Sequence, residues 1–120
     1  MTVQIFGFRS DPDTRKAQRF FAERRIAVHF VDLAERPASP GELRRFKERL
    51  GASALVNRES ARFQALGLRA VGDSPERLLD RAVTEPRLLR TPLVRWAHRV
   101  SVGHAPDAWT AWVETEHQAR

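Results

Sequence analysis

A chain of 120 residues, 42% hydrophobic and 30% charged, is long enough to bury a core and too apolar to stay disordered. It contains no cysteine, which excludes disulfides, thiolate metal sites and any thiol chemistry performed by this chain alone. The net charge of +6 would attract phosphate, but the 21 basic residues are scattered among 15 acids instead of forming one stripe, so a nucleic-acid partner is not expected.

The opening "MTVQIFGF" lacks the basic n-region and long apolar core of a signal peptide, and no apolar run approaches the ~20 residues of a bilayer span. Cytoplasmic residence without a membrane partner is therefore expected. Val3, Ile5 and Phe8 mark a first strand, bounded by Gly7 and the polar turn that follows. Asp11 followed by Pro12 is a helix start, a carboxylate at the N-cap and proline at the first helical position. Ala17, Phe20 and Phe21 then follow i, i+3, i+4 spacing and give that helix one apolar face. "AVHFVD" at 27–32 reads as a second strand by its β-branched and aromatic content. Two strands joined by a crossover helix should lie parallel, with a right-handed connection.

The middle of the chain is helical. Ser39 and Pro40 open a helix carrying Leu43, Phe46 and Leu50, which Gly51 ends. Residues 53–68 read as a short helix, a break near Asn57, and another helix stopped at Gly67. Ser74-Pro75-Glu76 repeats the cap-plus-proline signal ahead of an apolar face of Leu78, Leu79, Ala82 and Val83. Residues 91–104 alternate as two short strands with a turn at Ala97 and His98, a hairpin pattern. Pro106 and Asp107 start a last helix that turns Ala108, Trp109, Trp112 and Val113 inward. The predicted order is β-α-β, three helices, β-β, α. It implies an α/β fold with a mixed four-stranded sheet, helices on both sides, and a helical insert at about 40–85 within one domain spanning 1–120.

Four stretches in this order, "IFGFRSDPDTRKA", "LVNRESARFQALGL", "LLRTPLVR" and "RVSVGHAPDAW", carry a resemblance across nearly the whole chain. Together they resemble the arsenate reductase (ArsC-type) and Spx group of thioredoxin-like proteins. Members of that group follow the first strand with a cysteine, often ahead of a Cys-Arg-Lys-Ala run. Here Arg15-Lys16-Ala17 match the run, so the cysteine positions fall on Asp11 and Thr14. In the family the first cysteine sits at a helix N-terminus, where exposed N–H groups and the dipole favour a thiolate. The resemblance thus implies a cysteine-less member whose redox chemistry has been removed.

The resemblance also implies a binding site made of Asp11, Thr14, Arg15, Asn57, Arg58, Thr91 and Pro92. Arsenate reductases hold the oxyanion with arginines, one of them directly before the proline of the third strand. That position is Thr91 here, with Arg90 one step off, and a family arginine of the insert falls on Asn57, beside Arg58. Ser101-Val102-Gly103 resembles the Spx-like form of the last strand more than the arsenate-enzyme form. Pro92 is expected to follow a cis peptide bond, as in other thioredoxin folds. Two functions follow from the resemblance. One is a redox-inactive binding or regulatory protein, with RNA polymerase as partner by analogy with Spx. The other is a glutathione-dependent, arsenate reductase-like enzyme in which glutathione supplies the thiol.

Asp11 itself has two readings, a helix cap, or a carboxylate that keeps the negative charge of the lost thiolate. The remaining features point to structure. His29, His98, His104 and His117 have no metal-ligand spacing, so no metal is expected. Trp109 and Trp112, at helical spacing, read as core.

Overall fold

The structure, a computed structural model, describes residues 2–118. Strand β1 (Thr2–Gly7) leads into helix α1 (Pro12–Glu23), which returns the chain to β2 (Ala27–Asp32). Five short helices follow: α2 (Pro40–Leu50), α3 (Ala52–Leu55), α4 (Ala61–Ala65), α5 (Leu68–Val71) and α6 (Pro75–Ala82). A 3-10 turn at Pro86–Leu88 delivers the chain to β3 (Leu93–Trp96), β4 (Arg99–Val102) and the final helix α7 (Pro106–Gln118). The sheet order is β2-β1-β3-β4. β1 and β2 are parallel, as a crossover helix requires, while β1–β3 and β3–β4 are antiparallel. Among the described residues no helix is long and apolar enough to cross a membrane.

Strand alternation sorts the apolar residues into two cores. Val3, Ile5, Val94 and Trp96 face α1 and α7, meeting Ala17, Phe21, Trp109 and Val113. Four aromatic rings mesh there, with Phe21 5.7 Å from Trp109 and 6.1 Å from Trp96 between centroids, and Phe20 5.4 Å from Trp109. The fully buried Trp109 donates its indole N–H to Ser101 Oγ at 2.8 Å, which pins α7 to β4 and leaves that polar atom satisfied. On the opposite face Phe6, Val31 and Leu93 pack under the insert, against Leu43, Phe46, Leu55, Phe63 and Leu78. Trp112, read as core from its spacing, is only partly buried at the edge of the first cluster.

The cap-plus-proline signals hold at all three places. Asp11, Ser39 and Ser74 each accept a hydrogen bond from the first turn of the helix that their proline opens. The insert differs from expectation in its division. Five helical segments stand where three helices were expected. Gly67 does end α4, in a left-handed conformation with φ 66°, but the chain turns straight into α5 because Leu68 is drawn into the core. Phe8 lies just past the end of β1, although its ring stays buried.

Ser39 forms a reciprocal capping box with Glu42, whose Oε1 accepts from the Ser39 N–H at 2.9 Å while Ser39 Oγ accepts from the Glu42 N–H at 3.1 Å. The same carboxylate takes both ends of the Arg36 guanidinium at 3.1 Å. That hydrogen bonding, from Arg36 first, holds the Glu42 carboxyl below its ordinary value. The folded chain therefore binds this proton less readily than the unfolded one. The stabilisation is present at neutral pH and is lost as the pH falls through the lowered value. Glu42→Gln should lower the urea midpoint at pH 7, and the deficit against the parent should shrink when both are measured in acid.

Candidate functional site

The C-terminal end of β1 is where three separated segments converge. Gly7 accepts at its carbonyl from the Leu33 N–H, and the Asp11 N–H donates to Phe8 O, so the turn from 8 to 11 is tightly closed. Pro12 at the first helical position then starts α1 with Asp11 as its N-cap. The Asp11 carboxylate accepts three hydrogen bonds. Oδ1 takes the Asp13 N–H at 3.2 Å; Oδ2 takes the Thr14 hydroxyl at 2.8 Å and the Thr91 hydroxyl at 2.7 Å. An ionised carboxylate only accepts, so both threonines must donate to it. Such charge-assisted bonds are shorter and stronger than neutral ones.

Each partner is itself held. Thr14 is completely buried, one turn into α1, against Gly7 of the neighbouring strand. A Cβ on Gly7 would lie 2.3 Å from Thr14 Oγ1 and 2.6 Å from its Cγ2. Glycine therefore leaves the room that the Thr14 side chain occupies between strand and helix. Thr91 precedes Pro92, and the peptide between them is cis. Pro92 is buried, and its carbonyl accepts from the Gly103 N–H at 2.8 Å, joining the turn to the end of β4.

The remaining sequence-predicted positions are held by other contacts. Arg15 points back over the turn and donates to Arg9 O at 3.0 Å. Asn57 donates its backbone N–H to Leu88 O at 2.8 Å, and Val56 bridges Leu89, so the insert is stitched to the segment that leads into Thr91. The Asn57 side chain turns inward on its own loop, accepting from the Glu59 N–H at 3.0 Å. Its neighbour Arg58 is exposed. The stem of the exposed Arg90 lies beside Gly103, 3.8 Å from where a Cβ there would sit. Asp11, Thr14, Thr91 and Pro92 are thus brought together directly, and Arg15 folds back over the same turn. No hydrogen bond among the described residues joins Asn57 or Arg58 to this group. Gly7 was not anticipated as part of this arrangement. An isolated glycine in an apolar strand is the signal that could have found it.

The ArsC family model matches residues 10–112, from the turn before Asp11 to the middle of α7. The chain belongs to the ArsC family. Global transcriptional regulator Spx 2 of Oceanobacillus iheyensis is 29% identical over 109 residues, covering 89% of this chain and 80% of that protein. Among solved structures, the YFFB protein superimposes with a TM-score of 0.82 at 22% identity, covering 91% of this chain and 96% of that one. An arsenate reductase from Vibrio cholerae gives 0.76 at 22% identity, covering 89% and 93%. At such identities these structures establish the shared fold, the thioredoxin-like sheet with its helical insert. The resemblance first drawn from short stretches of sequence is therefore one of family and fold together.

In this ArsC-family chain the helix N-terminus holds a carboxylate whose hydrogen-bonding capacity is largely taken up by its own protein. Among the described residues no cluster of His, Asp and Glu is arranged to hold a metal ion. Asp11→Ala would remove a helix cap worth about 1 kcal/mol and leave a buried Thr14 hydroxyl unpaired at about 1–3 kcal/mol. A total loss of about 2–4 kcal/mol is expected from denaturant unfolding. With Thr91→Val in a double-mutant cycle, the two losses should fall short of additivity by about 0.5 kcal/mol or more. Gly7→Ala should cost about 1–3 kcal/mol by overpacking, and Thr14→Ala in the same chain should recover part of it.

Proposed function

We propose that this chain is a redox-inactive member of the ArsC family that acts in the cytoplasm by binding a partner protein, in the manner of a regulator. The observation that carries this reading is the Asp11 carboxylate, bonded to Thr14 and Thr91 at the helix start where the family has its thiol. Reducing arsenate to arsenite takes two electrons, which thiols supply by becoming a disulfide. Neither a carboxylate nor a threonine hydroxyl offers that pair, and the chain has no cysteine elsewhere to substitute. An anionic Asp11 would also oppose the entry of an arsenate oxyanion. The likeness to a transcriptional regulator supports RNA polymerase as the partner to test first. The site positions proposed for retained contacts are Asp11, Thr14, Arg15, Asn57, Arg58, Thr91 and Pro92.

The purified chain, given arsenate, glutathione and glutaredoxin, should show no turnover above the protein-free rate. Turnover comparable to that of a cysteine-bearing relative would overturn the reading and favour an enzyme in which glutathione supplies the thiol. Amide-shift mapping with glutathione at millimolar concentration adds a second criterion, since retained glutathione chemistry requires shifts at Asp11, Thr14 and Thr91. Binding to purified RNA polymerase should be measurable and should weaken with Arg58→Glu. A chain that neither binds the polymerase nor turns over arsenate would remove the polymerase from the proposal.

A further inference from the structure

Between α2 and the sheet lies a cleft of about 510 Å³, on the face of the sheet that carries the insert. Alternation along β1 places Gln4 on the same side as Phe6. Phe46 of α2 covers Phe6 edge-on, at 5.8 Å between ring centroids, whereas Gln4 remains uncovered on the cleft floor. Arg95 of β3 stands opposite Gln4 in the strand register and lines the cleft, its guanidinium donating to Ala97 O of the hairpin turn at 3.1 Å. The flank of α2 supplies Arg44, Arg45 and Glu48 as the wall. A smaller recess of about 160 Å³, sharing Arg45, Glu48 and Arg95, extends the cleft to Arg49 and His98.

Unpaired arginines occur elsewhere on the surface too, but in this cleft several converge on one concavity. Arg9, Arg36, Arg62, Arg81 and Arg99 each have a carboxylate partner. Arg44, Arg45, Arg49 and Arg95 make no ion pair among the described residues. Two carboxylates line the cleft: Glu42 is neutralised by the bidentate bond from Arg36, and Glu48 alone faces the four guanidinium groups uncompensated. Like charges converging on a concavity repel one another and focus a positive potential into it. Guanidinium groups recognise phosphate by paired N–H···O bonds. The cleft also has the volume of an ordinary small-ligand site.

We propose that the α2 cleft binds a compact ligand bearing two or more phosphate groups, either an inorganic oligophosphate or the phosphate chain of a nucleotide. Arg45 and Arg95 grip it from wall and floor, and Glu48 limits its affinity. The site is separate from the Asp11 knot and independent of the redox-inactive reading.

The test is a titration of the full chain with inorganic triphosphate and, separately, with ATP, followed by backbone amide shifts at about 100 mM salt, where diffuse attraction is screened beyond about 10 Å. Saturable shifts should cluster at Gln4, Glu48, Arg95 and His98. Arg45→Gln and Arg95→Gln should each weaken binding about five-fold or more, the loss expected from removing a charge-assisted contact. Glu48→Gln should tighten it, and Arg69→Gln, exposed on α5, should change nothing. Binding of both probes assigns recognition to the phosphates; binding of ATP alone assigns the nucleotide as the source. The proposal is overturned by a failure of both probes to saturate below about 10 mM. An equal loss on Arg69→Gln, shifts confined to the Asp11 turn, or displacement of triphosphate by short duplex DNA at matched phosphate concentration would also overturn it.

Discussion

One carboxylate oxygen ties the start of α1 to the distant segment that leads into β3. Asp11 Oδ2 receives a hydroxyl from Thr14, within its own helix, and another from Thr91, 80 residues away. The first bond closes the start of α1, and Gly7 leaves the room against β1 that the Thr14 side chain fills. The second fixes the segment before Pro92, from which β3 enters the sheet beside β1. Removing Asp11 leaves the buried Thr14 hydroxyl unpaired and frees Thr91, so the contributions of the three depend on one another.

The neighbouring hydrogen bonds extend the same constraint outward. Pro92 O receives the Gly103 N–H, and the Leu55 and Leu88 carbonyls receive the Arg90 and Asn57 N–H groups. The helical insert is thereby anchored at the segment leading into Thr91, and β4 is anchored at the cis turn. The two hydrophobic cores lie on opposite faces of a sheet only four strands wide. Each core separately carries part of the burial, but the loops at this end of β1 determine how the layers stand relative to the site. In a reactive family member the same convergence would orient a nucleophile. Here a carboxylate with its own internal donors makes the convergence self-contained.

What could be read from the sequence was local. The short apolar run in "VQIFGF", the β-branched and aromatic content of "AVHFVD" and three cap-plus-proline pairs are signals that act within a few residues, and each located its element, with β1 ending one residue before Phe8. Gly67 shows the limit of such signals. It stops one helix as a left-handed glycine should, but whether another begins at once depends on Leu68 finding a place in the core. The resemblance brought Asp11, Thr14, Thr91 and Pro92 to one site, yet composition and spacing contain nothing that directs a Thr91 hydroxyl to Asp11. That bond exists because β3 pairs with β1, which brings the segment before Pro92 beside the helix start. Asn57 and Arg58 show the converse, for their place is set by backbone pairing with Leu88 and Leu89 that no side-chain pattern announces.

Charge was the property least legible in one dimension. Along the chain the arginines alternate with acids, which reads as a solvated surface of no particular direction. Folding sorts them by partner. Asp32, Glu42, Asp73, Glu85 and Glu116 each draw an arginine to themselves from 6 to 23 positions away. The arginines of α2 and Arg95 are left without such partners, on two elements that face one cleft. Arg44, Arg45 and Arg49 are close neighbours in sequence, but Arg95 joins them only because β3 pairs with β1 beneath α2. Other unpaired arginines stay dispersed over the surface, whereas these share one concavity, where their fields add.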